Sequence, residues 1–132
     1  MLAPVLGILG WLLMPEPVPA YPWPVKPFDG EHAINGTLGE FRNRDPLHCG
    51  VDIDALTGTE VYSIDTDPVD SISGAGSMNE NVRIGRFRYL HVLHSKGLLA
   101  GQQVTALDAP IGTVNSANHL HLEESTIRGA VS

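Results

Sequence analysis

The chain has 132 residues, enough for one domain with one modest core. Eight basic against fifteen acidic residues leave a net charge of −7, and the excess is spread along the chain: three and five over residues 1–47, five and ten over residues 48–132. With no basic block, nucleic acid is not an expected partner. A single cysteine, Cys49, excludes an internal disulfide framework.

Leu2–Met14 is an apolar run of about 13 residues, too short for a spanning helix, which needs about 20. Its length suits the apolar region of a secretion signal, and Val18-Pro19-Ala20 offers a small-residue cleavage point, although no Lys or Arg precedes the run. Pro15, Pro17, Pro19, Pro22 and Pro24 follow at once, which reads as an extended spacer. Residues 1–22 are therefore expected to be a signal-like segment and spacer. Residues 23–132 are expected to hold the domain, its folded part starting near Trp23 or Pro27. The expected location is secreted, periplasmic or envelope-associated, with any membrane contact confined to the N-terminal apolar segment.

Fourteen glycines and ten prolines argue for many turns. Short β-rich runs are predicted in order at Cys49–Ile53, Val61–Ile64, Val69–Ile72, Val82–Ile84, Arg86–Leu93, Gln103–Ala106, Ile111–Val114 and His119–Glu123. Turn clusters such as Thr57-Gly58, Gly74–Ser77 and Lys96-Gly97 separate them. Close-spaced short strands without a helical period predict an all-β antiparallel sandwich or barrel-like domain.

Six histidines are the unusual feature of the composition. In His48-Cys49-Gly50-Val51-Asp52, a His and an Asp four apart can reach one ion if the chain bends at Gly50; a surface His with a turn-capping Asp gives the same pattern. Cys49 reads as core. In Tyr89-Leu90-His91-Val92-Leu93-His94, strand geometry puts His91 on the face of Tyr89 and Leu93, and turns His94 away as a partly buried, hydrogen-bonded ring. In His119-Leu120-His121-Leu122-Glu123, both imidazoles share one face, Leu120 and Leu122 face the core, and Glu123 is placed to orient a ring. His, Asp and His form a ligand set suited to Zn²⁺ with water in the fourth position. Two imidazoles are left for proton transfer.

The order and spacing of seven pieces resemble the lysostaphin/LytM-type zinc metalloendopeptidases, which cut peptide cross-links of bacterial cell walls. The pieces are Gly36–Gly39, His48–Ile53, Gly58–Tyr62, Tyr89–His91, Gly101–Val104, Ile111-Gly112 and His119–Glu123. Together they span roughly Trp23 to Glu123. The resemblance implies a compact antiparallel fold of the duplicated hybrid motif type, with a groove over the metal. It implies that His48, Asp52 and His121 bind zinc, and that His91 and His119 are the catalytic histidines outside the ligand set, without saying which is the general base. It departs from the family pattern at Asp67-Pro68-Val69, where an Asp-Gly-x-Val turn is usual, and in the extra His94. The chain also runs only nine residues past Glu123, where relatives often continue.

The resulting expectation is a monomeric zinc endopeptidase acting on peptidoglycan peptides. The alternatives are an inactive relative that binds the wall or activates another hydrolase, and a structural β-domain on an anchor.

Overall fold

The computed structural model describes residues 21–39 and 48–125. The apolar run Leu2–Met14, its cleavage point and most of the proline spacer lie outside the described residues.

The described residues form ten strands: β1 Ile34–Gly36, β2 Val51–Asp54, β3 Glu60–Tyr62, β4 Asp67–Ser73, β5 Asn81–Ile84, β6 Phe87–Leu90, β7 Val92–His94, β8 Gln103–Val104, β9 Pro110–Val114 and β10 His119–Glu124. No helix occurs among the described residues. A seven-stranded sheet has the order β1-β2-β10-β6-β5-β4-β8, and a three-stranded sheet the order β3-β9-β7. Every pairing is antiparallel. The all-β antiparallel expectation holds. Among the described residues neither sheet closes into a barrel.

One apolar core joins the sheets. Ile53, Leu120, Tyr89, Val82, Ile84 and Val69 come from the large sheet; Val61, Ile111, Val114 and Val92 come from the small one. Leu120 is fully buried, and burying such a side chain is worth about 1.5–3 kcal/mol. Because strand residues alternate between faces, that burial fixes the opposite face of β10 for His119 and His121. Tyr89 is also fully buried. Its hydroxyl accepts a hydrogen bond from the Ile64 amide at 2.7 Å, and burial pushes its pKa up to about 12.

The structure corrects three expectations. The single strand predicted over Arg86–Leu93 is two strands in different sheets, broken at His91. His91 has a φ of 68°, a left-handed conformation that is uncommon for a residue with a side chain. The Glu80 carbonyl accepts both the His91 and Val92 amides, at 3.0 and 3.1 Å, and so holds the corner. Two-residue alternation fails there: Tyr89 is core while Leu93 is 55% exposed, so His91 does not share their face. The second correction is β1, which was not predicted. The third is Cys49, which precedes β2 and is half-buried; it lines a cavity with Leu38, Phe87 and Leu122 instead of joining the core.

Candidate metal centre

The register of β2 against β10 builds the centre. Asp52 lies opposite His121, and Asp54 opposite His119. His48 reaches the same point from just before β2. His48 Nε2, Asp52 Oδ1 and His121 Nδ1 form a triangle with edges of 3.1, 2.9 and 2.7 Å. All three residues are buried, and the group is arranged to hold a metal ion.

Hydrogen bonds behind the rings set the tautomers. A carbonyl or carboxylate oxygen only accepts, so the ring nitrogen facing it carries the proton. His48 Nδ1 donates to the Thr37 carbonyl at 2.8 Å, which leaves Nε2 bare in the neutral ring. His121 Nε2 donates to Glu123 Oε1 at 3.1 Å, which leaves Nδ1 bare. Three acceptor atoms then converge within hydrogen-bonding distance of one another. They repel unless a cation, or a proton on one of them, stands among them. A carbonyl or carboxylate behind each ligating ring is the usual support of a metal site.

Without a cation, the same crowding of acceptors favours a proton on His121. Burial pulls the His121 pKa down, but hydrogen bonds to Glu123 and Asp52 and the charges of both carboxylates outweigh it and hold it above the usual histidine value. Burial pushes Glu123 up, yet the His121 hydrogen bond and the Arg88 charge win and keep it below the usual carboxylate range. Arg88 Nη1 donates to Glu123 Oε2 at 3.2 Å and Arg88 Nε to Asn81 Oδ1 at 3.1 Å. Arg88, Glu123 and His121 therefore form one chain of contacts that ends on the ring of a candidate ligand, at the nitrogen facing away from the triangle.

Two further imidazoles flank the triangle. His119 Nε2 lies 3.8 Å from Asp52 Oδ1, and His119 Nδ1 donates to the Ala117 carbonyl at 2.9 Å. His91 Nδ1 donates to the Met78 carbonyl at 2.8 Å. The His91 ring centroid is 4.6 Å from that of His119 and 6.3 Å from that of His121. Burial is the main cause that lowers the His91 pKa, reinforced by the two neighbouring imidazoles and opposed by Met78 and Asp52. His91 therefore favours its neutral form.

All five residues expected at the site come together. His94 does not join them: its Nδ1 donates to Glu80 Oε2 at 2.9 Å and its side chain is 29% exposed, the partly buried, hydrogen-bonded ring expected. Glu123 orients His121, as its place on the strand face implied. Missed were Thr37, Met78 and Ala117, which act through main-chain carbonyls and leave no side-chain signature in a sequence. Glu80 and Asn115 were also missed, because each sits in a polar turn that reads as loop.

Gly50 is where the chain between His48 and Asp52 passes close to β10, and that close approach, not a positive φ, is what requires glycine. A Cβ added there would run into the Leu122 carbonyl and lie 2.9 Å from His121 Nε2. The Leu122 carbonyl belongs to β10 and cannot move alone. Gly50→Ala should push β10 from β2, lower the melting midpoint, and weaken metal binding by at least the 10- to 100-fold typical of lost support behind a ligand. Metal titration beside thermal melts checks this; parental affinity would contradict it.

Neither a scan against protein-family models nor a search of curated proteins finds a match for this chain.

Proposed function

We propose that the chain is a zinc-dependent endopeptidase that hydrolyses peptide cross-links of bacterial peptidoglycan outside the cytoplasm. One observation carries the peptidase reading. Four imidazoles each spend one nitrogen on a carbonyl or carboxylate behind them, while two complete a ligand triangle and two stand beside it. A structural zinc site is closed by four protein ligands, whereas a catalytic one has three and an open position. Three ligand atoms with two spare bases beside them fit the second kind.

The donor set also fits zinc. Zinc–nitrogen bonds of about 2.0–2.1 Å at tetrahedral angles separate ligand atoms by roughly 3.3 Å. The present edges of 2.7–3.1 Å reach that with shifts of a few tenths of an ångström. His48, Asp52 and His121 would hold the ion. When bound, it supplies the Lewis acidity that activates water and polarises an amide carbonyl.

The remaining chemistry belongs to the protein. Amide hydrolysis adds water to the carbonyl carbon, breaks the C–N bond and delivers a proton to the leaving amine. A neutral imidazole is the group suited to take the first proton. His91 is held neutral by burial, with Nε2 bare. His119 presents its own bare Nε2 beside Asp52. One accepts the proton of water, and the pair in its charged state stabilises the oxyanion and returns a proton to nitrogen. The choice of peptidoglycan as substrate rests on the resemblance of the seven sequence pieces to the lysostaphin/LytM-type enzymes, and the extracytoplasmic location on the apolar run and proline spacer.

Purified protein should contain close to one zinc per chain after dialysis, and should release peptide fragments of defined mass from purified muropeptides. His48→Ala and Asp52→Ala should each lose the zinc, because two protein ligands are too few for tight binding. A metal-free protein that remains fully active would refute the proposal.

A further inference from the structure

Asn115 ties together the supports of the two flanking histidines. It lies in the turn between β9 and β10. Its Nδ2 donates to the Met78 carbonyl at 2.9 Å, the same oxygen that accepts His91 Nδ1. Its Oδ1 accepts the Ala117 amide at 3.0 Å, and the carbonyl of that same Ala117 accepts His119 Nδ1. Its main-chain amide donates to the His91 carbonyl at 2.9 Å. The orientation of the side-chain amide is forced, since a carbonyl needs a donor and an N–H needs an acceptor; the flipped group would face both partners with the wrong atom. The turn itself is anchored from outside: the Thr57 hydroxyl donates to the Asn115 carbonyl at 2.8 Å, and the Thr57 amide donates to Asn118 Oδ1 at 3.0 Å.

We infer that Asn115 is a positioning residue that holds the His91 and His119 rings in one shared hydrogen-bond frame, with their Nε2 atoms bare toward the metal centre. Asn115 reaches neither ring with its own side chain. It acts through Met78 O on one ring and through residue Ala117 on the other. His91 and His119 come from segments far apart in sequence, and this side chain links the Met78 carbonyl that orients one to the amide of Ala117, the residue whose carbonyl orients the other. The consequence for turnover rests on the peptidase reading above; the effect on the rings does not.

Two substitutions divide the frame. In Asn115→Asp the acceptor toward Ala117 is kept, while the donor toward Met78 becomes an oxygen facing an oxygen. In Asn115→Ala both contacts go. The measurement is long-range proton–nitrogen correlation of the imidazole rings in the full chain, with zinc content determined on the same samples. For Asn115→Asp, His91 should lose the signature of a fixed Nδ1–H tautomer while His119 keeps it. For Asn115→Ala, both rings should lose it. Zinc content should match the parent in both variants, since no ligand is touched. Where the parent cleaves wall peptide, kcat should fall about 10- to 100-fold with KM unchanged, the usual scale for a support behind a functional ring. Unaltered ring signals in both variants would overturn the inference, as would ring changes that appear only together with loss of zinc and of dispersed amide signals. A parent that cleaves no wall peptide defeats the peptidase reading instead, and the ring signals still decide the role of Asn115.

Discussion

Replacing His121 by alanine should remove metal and activity together, while replacing His119, two residues away on the same strand, should remove turnover alone. The two rings share a face but differ in depth and partners. His121 is buried, with Nδ1 at 2.7 Å from Asp52 Oδ1 and 2.9 Å from His48 Nε2. His119 is 28% exposed on its side chain and stays 3.8 Å from Asp52. Losing His121 leaves a bare imidazole and a buried carboxylate with no third partner to close around an ion. Losing His119 leaves the triangle intact. If His119 transfers protons, kcat should fall by roughly 10² to 10⁴, with metal content near that of the parent. His91→Ala should behave like His119→Ala, whereas His94→Ala should change turnover little, because that ring is bound to Glu80 away from the centre. Metal content and kcat for the four variants decide the matter. Zinc lost from His119→Ala but retained in His121→Ala would reverse the two roles.

Glu80→Ala should be strongly destabilising although Glu80 lies outside the ligand set. Glu80 is only 2% exposed. Its Oε1 accepts the Gly76 amide at 2.7 Å, and its Oε2 accepts the His94 amide at 2.7 Å and His94 Nδ1 at 2.9 Å. Removing the carboxylate strands three donors, at about 1–2 kcal/mol for each hydrogen bond to the charged acceptor, or about 3–5 kcal/mol in all. For a domain of this size that lowers the melting midpoint by roughly 12 °C or more. Glu80→Gln should recover only part of it, because its NH₂ must face a donor at one end. The pH dependence has a definite sign. Burial alone would raise the Glu80 pKa, but hydrogen bonds from Gly76 and His94 outweigh it and leave it below the ordinary value of 4.5. A lowered carboxylate pKa gives stability that is fully present above the unfolded-state value and lost as pH falls through the folded-state value. The gap in midpoint between parent and Glu80→Gln should therefore hold from neutral pH to about 5 and shrink below about 4.5. A gap that widens on acidification would contradict this account.

Much of the centre is legible because it obeys simple periodicity. The alternation His119-Leu120-His121-Leu122-Glu123 requires a strand with one apolar face, and the buried Leu120 confirms which face that is. His48 and Asp52 are legible as a pair only through the bend at Gly50, whose tolerance for close approach is a property of glycine. What could not be read is where the chain leaves strand geometry. Tyr89 through Leu93 looks like one continuous strand, since nothing in a His announces a left-handed φ. The corner at His91 is set by a carbonyl eleven residues upstream, that of Glu80. β1 was missed for a related reason: Ile34-Asn35-Gly36 contains the turn-favouring pair Asn-Gly, yet pairing with β2 overrides that preference.

The strand order also dictates when the centre can exist. β10 stands between β2 and β6. Without it the large sheet falls into two pieces, β1-β2 on one side and β6-β5-β4-β8 on the other. A nascent chain leaving the ribosome exposes His48 and Asp52 on an unpaired edge until β10 emerges and wedges into the gap. Such pairing between distant segments is slow to form. Assembly of the triangle therefore waits on β10: a translation product that stops before it lacks His121 and the wedge that would bring it to Asp52, so it holds no competent centre.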